Sequence, residues 1–273
     1  MENDHISQCS GRRWGILSTL GFSLIIIIIY LLVQLVVAGI MVALQLRSNP
    51  NVETSILVAS LGTNGLFFSL STISASIVCM GTIIAFIRFR KGITIQHYLN
   101  LTPLSPALLV RCSGIIIIFA IAVDGIYFML ARPIVPDFMV AIYKTAHVYP
   151  LLWISVIIAA PVLEEVFFRG FLFEGLRDSK LGSTGSVLIT SVIWAVIHTQ
   201  YGLFEIILIA LLGIILGIVK IKTQSLYATM AMHSLLNLIA TLEVAILFHG
   251  TSRMLFIIDF SRNINNICAY SVC

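Results

Sequence analysis

The sequence is short of charge. Only 10% of its 273 residues are Asp, Glu, Lys or Arg, whereas 59% are hydrophobic. A soluble domain carries about 25% charged residues, so this chain has too little polar surface to coat a water-soluble globule. Paired cysteines are also lacking. Cys9, Cys79, Cys112, Cys268 and Cys273 form no CxxC pair and no metal-ligand spacing. Cys79 and Cys112 lie in apolar stretches, where a thiol behaves as a small hydrophobe. Cys268 and Cys273 are placed to bridge only if the tail lies outside the cytoplasm. There is no internal repeat, and no low-complexity tract beyond the isoleucine runs at 25–29 and 115–118. The formal net charge of +4 implies no nucleic acid, because cationic loops beside membrane spans are the default.

No cleavable leader is expected either. Arg12 and Arg13 precede an apolar segment from Trp14 to Leu46, far longer than the roughly 7–15 residues of a secretory h-region. It reads as an uncleaved anchor, and it is too long and too apolar for a twin-arginine signal. The C-terminal four residues begin with Tyr270, so the chain does not end in a CaaX box.

What the sequence does have is apolar runs of the length that spans a bilayer, about 20 residues. The expected fold is all-α, a polytopic transmembrane bundle of seven to eight crossings. Seven are placed at about 15–46, 56–87, 106–130, 149–176, 184–201, 203–221 and 225–248. The first two are long enough to tilt or to carry an interfacial turn at Gly62-Thr63-Asn64-Gly65, which could hide an eighth. The organisation expected is 1–148 as amino-terminal spans, 149–248 as a core and 249–273 as a tail.

Basic residues alternate with the crossings. Arg12, Arg13, Arg88, Arg90, Lys91, Arg177, Lys180, Lys220 and Lys222 fall on one side, with Arg111 just inside it. Arg47, Arg132 and Lys144, and Arg253 and Arg262 in the tail, fall on the other. The positive-inside rule then makes the amino terminus cytoplasmic. Length and composition suit a multi-pass protein of a bacterial inner membrane.

Against this apolar background one stretch stands out, AAPVLEEVFFRGFLF at 159–173. It carries Glu164, Glu165 and Arg169. A charged side chain at membrane depth costs about 2.5–3.5 kcal/mol on insertion scales, so each needs a partner, a cavity or a function. Glu165 and Arg169 are four apart, the favoured order and spacing for a helical ion pair. Glu164 lies about 100° around the helix and is left without a cation, as a general base would be. The plain alternative is a structural ion pair with a spare glutamate. Pro161 removes a backbone donor and invites a kink.

His198 ends WAVIH in the next crossing. By itself, a histidine near a helix end is more often a hydrogen-bonded interfacial residue than a ligand. Glu164 and His198 are, however, equidistant from the centre of the turn Asp178–Gly185, near Leu181, and so would share a depth in an antiparallel hairpin. His233 and Asn237 in AMHSLLNLI are four apart and project from one face of the last crossing. Their plain reading is a helix–helix polar contact. His233 and Glu164 each lie about three turns from the same basic membrane face. Three helices would then bring a carboxylate, two imidazoles and an amide to one level.

The stretches Glu164-Glu165-Val-Phe-Phe-Arg169, Trp194-Ala-Val-Ile-His198 and His233-Ser-Leu-Leu-Asn237 resemble the three motifs of the CAAX protease and bacteriocin-processing family of intramembrane proteases. That family includes the Ras-converting CaaX endopeptidases, and its patterns are EExxxR, FxxxH and HxxxN in this order. The resemblance covers about 151–248, and Trp194 stands where the family usually has Phe. It implies an intramembrane endopeptidase acting on a membrane-associated peptide or protein in the lipid bilayer. Glu164 and His198 would activate water, His233 and Asn237 would hold the oxyanion, and Glu165 and Arg169 would support them. The family is commonly labelled metalloprotease, and Glu164, His198 and His233 would be the ligands of a zinc ion if one is bound. The absence of HExxH and the neutral Asn237 favour metal-independent activation of water. No Ser or Cys sits in the motifs to act as a covalent nucleophile. A non-enzymatic scaffold or bacteriocin immunity factor is the alternative. A proton-coupled transporter is disfavoured because neither inverted repeats nor paired broken helices are visible.

Other ionisable positions are given lesser roles. Asp124 is expected to be structural, with Arg111 or Tyr127 as partner. Glu205 and Glu243 are expected at the interface, off the motif faces. Tyr143, His147, Tyr149 and Trp153 read as an interfacial belt, and His97 has no motif around it.

Overall fold

The computed structural model describes residues 12–270, and side chains for residues 12–248. Among the described residues the regular structure is helical throughout, with no strand. In hydrocarbon each segment must satisfy its own backbone N–H and C=O groups, which a helix does. Six of the described helical segments are long and apolar enough to cross a bilayer: α1 (Ile16–Ser48), α3 (Gly65–Phe89), α5 (Pro106–Met129), α7 (Tyr149–Leu176), α9 (Leu203–Thr223) and Leu226–Phe248, the first part of α10 (Leu226–Tyr270). Between them lie α2 (Thr54–Leu61), α4 (Ile95–Leu99), α6 (Asp137–Lys144) and α8 (Gly182–Val196).

One expected crossing carries the interfacial turn anticipated in it, and another is shorter than expected. The span 56–87 is divided at the Gly62–Asn64 turn. There α2 ends, and the Asn64 side chain caps α3 by accepting the Phe67 N–H at 2.8 Å. The expected crossing 184–201 is a 15-residue helix, α8, about 22 Å long and too short for a core of about 30 Å. Beyond residue 248 the backbone continues the last helix to Tyr270. The side chains of that tail lie outside the described residues, as do Cys9, Cys268 and Cys273, whereas Cys79 and Cys112 are buried free thiols.

The packing is that of a protein in lipid. On α1 the buried residues include Thr19 and Ser23, while Leu17, Leu24, Leu31 and Leu35 are exposed. Lipid tails are as apolar as leucine, so small polar residues can take the helix interfaces. A stripe of small residues also joins α8 to α9. A Cβ added at Gly213 would lie 2.9 Å from the Ser191 Cβ, and one added at Gly217 would lie 2.6 Å from a Val187 methyl. Only glycine lets these helices approach so closely, and that contact holds the short α8 in place.

The helix ends sort into two groups. At the basic end the Arg90 Nε donates to the Arg12 carbonyl at 2.8 Å, and the Lys220 Nζ to the Leu99 carbonyl at 3.0 Å. Here the fully buried Glu174 takes Arg13 and Arg177, each at 3.1 Å, and Lys220 at 3.4 Å. It also accepts from the Asn100 amide at 2.8 Å. Beside this cluster Tyr98 stacks on Phe171 at 5.8 Å. At the other end the Gly65 N–H donates to the Thr145 Oγ1 at 2.8 Å, and Arg132 pairs with Glu205 at 3.5 Å. Tyr143 there stacks on Tyr149 at 4.8 Å.

Candidate functional site

The site is built on an irregular helix. Two stretches of α7, Ser155–Ala159 and Val166–Leu172, are π-helical. Within the first, the Ala160 N–H bonds to the Ser155 carbonyl five residues back. The next carbonyl in that register, Val156, would look to residue 161, a proline with no N–H. Asn237 on α10 fills the gap, its Nδ2 donating to the Val156 carbonyl at 2.9 Å. Ser76 on α3 likewise donates to the Ala159 carbonyl at 3.0 Å. Pro161 therefore ties α7 to α10. One of the two amide hydrogens of Asn237 is committed to this bond, which leaves the other for the cavity.

Between the π-helical stretches the two glutamates part. Glu165 is fully buried; its Oε1 lies 2.9 Å from the Arg169 Nη1 and 3.0 Å from the His233 Nδ1. Arg169 is buried too, with Nη2 donating to the Gly213 carbonyl at 3.2 Å and its guanidinium 4.4 Å from the Trp194 ring. Glu165 thus joins α7 to α10, and Arg169 joins it to α8 and α9. Glu164 points the other way, into a cavity, and is 24% exposed. Its Oε2 accepts from the Trp194 Nε1 at 2.6 Å and lies 4.0 Å from the His233 Nε2.

Trp194 is the residue the motif resemblance undervalued. A phenylalanine there would keep the aromatic wall but could not donate to Glu164. The indole also sets both imidazoles, with ring centroids 5.3 Å from His198 and 5.2 Å from His233, edge to face. Trp194→Phe is expected to lower the unfolding free energy by about 1.5–3 kcal/mol, the value of a hydrogen bond to a charged group. Thermal denaturation of the detergent-purified variant measures this, and a melting profile equal to wild type would contradict it.

His198 is not on the helix it was expected to occupy. α8 ends at Val196, and the His198 imidazole folds back so that Nδ1 lies 2.7 Å from the Trp194 carbonyl. A carbonyl can only accept, so Nδ1 donates and Nε2 is left free. The bond satisfies one of the carbonyls orphaned at the helix end. Similarly, His233 spends Nδ1 on Glu165 and keeps Nε2 on the Glu164 side.

Glu164, His198, His233 and Asn237 all line one cavity of about 720 Å³. Several of its lining residues were missed or placed elsewhere by sequence reasoning. Tyr201 stacks on His198 at 6.3 Å between ring centroids, 16° from parallel. Burial, and then the nearby Glu164 charge, push its phenol pKa up, so it stays a neutral hydroxyl. Asp124, Glu205 and Glu243 line the cavity as well. Glu205 accepts from the Tyr127 hydroxyl at 3.3 Å and so takes the partner expected for Asp124. Arg111 lies thirteen residues before Asp124 on the same helix, about 20 Å away. No sequence signal marks these groups as cavity residues, because their convergence depends on helix rotation and tilt.

Among the described residues no group of three or more His, Cys, Asp or Glu side chains is placed to hold a metal ion. One oxygen of Glu164 is already occupied by an indole N–H. As arranged, Glu164, His198 and His233 do not form a zinc site.

Comparison with known proteins bears on the same segment. Residues 146–239 match the family model described as "Type II CAAX prenyl endopeptidase Rce1-like". An Escherichia coli relative described as "Uncharacterized 24.3 kDa protein" is 26% identical over 191 residues, which is 66% of this chain and 82% of that protein. No solved structure matches. The matched segment holds α7, α8, α9 and the His233–Asn237 turn of α10, and over this segment, about a third of the chain, the protein is similar to the CAAX endopeptidase family.

Proposed function

We propose that this protein is an intramembrane endopeptidase that hydrolyses a peptide bond of a membrane-associated peptide or protein, with Glu164 as general base. The observation that carries the reading is that one cavity receives a carboxylate, two imidazoles whose Nδ1 atoms are committed elsewhere, and an amide. A water held between Glu164 and His198 loses its proton to the carboxylate as its oxygen attacks the scissile carbonyl. The tetrahedral oxyanion is met by the second Asn237 amide hydrogen and by His233 Nε2 when that atom carries a proton. Glu164 then delivers its proton to the departing amine, and the carbon–nitrogen bond breaks. Glu165 and Arg169 hold His233 and Trp194, and no step passes through a metal.

Orientation belongs to the same proposal. The end that gathers Arg13, Arg90, Arg177 and Lys220 is the cytoplasmic one by the positive-inside rule, in a bacterial inner membrane. The function is tested with purified protein in liposomes and a mixture of membrane peptides, products being identified by mass spectrometry. His198→Ala is expected to slow cleavage about 100-fold or more, the lower end for a positioned acid–base group. Cleavage by His198→Ala at the wild-type rate would remove the imidazole from the mechanism.

A further inference from the structure

His198 is the one member of the candidate site that no helix carries. α8 ends at Val196, and Thr199 and Gln200, just beyond the imidazole, are exposed. The hydrogen bond from Nδ1 to the Trp194 carbonyl at 2.7 Å fixes one ring atom. A single bond of this kind does not fix the plane of the ring. The plane is set by aromatic neighbours. The Trp194 indole meets the imidazole edge to face at 5.3 Å, and the Tyr201 ring lies over it at 6.3 Å, 16° from parallel. Both separations fall within the roughly 4.5–7 Å at which aromatic rings attract. Tyr201 reaches this place because its N–H donates to the His198 carbonyl at 3.1 Å, closing a tight turn that brings the second ring back over the first.

Tyr201 is itself on the loop, so its position needs an anchor. Phe138 supplies one, edge to face on the Tyr201 ring at 5.8 Å and 83°. Phe138 is the second residue of α6, and it meets Phe68 of α3 edge to face at 6.1 Å. α6 is fixed in turn. Thr145, directly after it, accepts the Gly65 N–H at 2.8 Å and donates to the Thr63 carbonyl at 2.7 Å. Ile142 and Tyr143 are buried in a core with Leu152 and Val244. A series of rings, Phe68, Phe138, Tyr201 and His198, therefore runs from α3 to the imidazole. The first two precede residues 146–239, so this support comes from outside the segment that resembles the endopeptidase family.

We propose that Tyr201, and Phe138 through it, are positioning residues that hold the His198 imidazole in its plane beside the cavity. The inference rests on the protease reading, in which His198 helps to aim water, but the ring contacts do not depend on it. Aiming is sensitive to small errors, since a misplacement of about 1 Å costs on the order of 100-fold in rate. The Tyr201 ring, not its hydroxyl, carries the role. Because Phe138 and Tyr201 also line the cavity, direct contact with substrate is the rival reading, and it would appear in KM rather than in kcat.

The test uses the full chain, with Tyr201→Phe keeping the ring, and Tyr201→Leu and Phe138→Leu removing it while keeping apolar bulk. In detergent, with histidine isotopically labelled, the His198 ring signal in the NMR spectrum is identified by its absence from His198→Ala. It is expected to shift in Tyr201→Leu and in Phe138→Leu and to stay in place in Tyr201→Phe. In liposomes Tyr201→Leu is expected to lower kcat about 30-fold and Phe138→Leu about tenfold, with KM within a few-fold, while Tyr201→Phe stays within about twofold of wild type. The double variant Phe138→Leu with Tyr201→Leu is expected to be no slower than Tyr201→Leu alone, because both act through one ring. An unmoved His198 signal in the ring-removing variants, a change in KM alone, or full additivity in the double variant would overturn the proposal. Should Phe138→Leu fail to fold, Tyr201→Leu, on the loop, carries the comparison with Tyr201→Phe by itself. If the signal moves as expected but His198→Ala cleaves at the wild-type rate, the catalytic reading fails and the positioning of the imidazole stands.

Discussion

Glu164→Gln is expected to lower peptide cleavage by about 10²–10⁴-fold, the range that a positioned general base contributes. Glutamine keeps the shape and an oxygen to accept from the Trp194 Nε1, so the 2.6 Å contact survives. What it loses is the ability to take a proton from water. The fold is expected to remain, because Glu164 is the partly exposed member of the pair and the buried Glu165–Arg169 ion pair is untouched. The check is turnover in liposomes beside a melting profile of the same preparation, with kcat reduced and KM within a few-fold. A Glu164→Gln protein that retains more than a tenth of wild-type turnover would end the general-base assignment. One that loses its fold would show the glutamate to be structural, which is the plain reading of the motif.

The second large effect is on stability. Arg169→Ala is expected to cost about 3–5 kcal/mol, because it strands the Glu165 carboxylate in the interior with only His233 beside it. It also strips the Gly213 carbonyl of a donor and the Trp194 ring of its cation. The double variant Arg169→Met with Glu165→Gln is expected to recover much of that loss, since a buried pair replaced by neutral groups no longer carries the desolvation of a lone charge. Denaturation of the three proteins in one detergent measures the coupling. If Arg169→Ala falls within about 1 kcal/mol of wild type, the guanidinium is not the hub it is drawn as. If the double variant is as damaged as the single one, packing rather than charge accounts for the loss.

The two predictions separate roles that adjacent letters in the sequence conceal. Glu164 and Glu165 are neighbours in the chain, yet one faces a cavity and the other an arginine and a histidine. The order of charges on a helix was enough to pair Glu165 with Arg169, because a four-residue spacing places two side chains on one face whatever surrounds the helix. It was not enough to show that His233 shares the same carboxylate oxygen. That contact needs α10 packed against α7, and packing is decided by surfaces far apart in sequence.

The membrane class and most crossings were legible because they follow from local quantities, apolar length and the placement of lysine and arginine. The segregation of basic residues to one end, read from alternating loops, reappears as the network around Glu174. The departures also have local physics behind them. α8 is shorter than expected because the chain turns at Ile197, where His198 caps the helix instead of extending it. The π-helical turns of α7 were invisible, although Pro161 was the clue. A proline shows which backbone donor is lost, but not which side chain will replace it.

The sequence by itself thus determined that the chain is a helical membrane protein and which few polar residues its apolar segments carry. It also determined that Glu165 and Arg169 would meet. Only the tertiary structure decided that Trp194 donates to Glu164, that Asn237 repairs the backbone at Val156, and that Asp124, Glu205 and Glu243 join the cavity. The reason is the range of the interactions. Periodicity and ion-pair spacing act within a few residues of one helix, whereas a cavity wall is made by the rotation and tilt of several helices against one another.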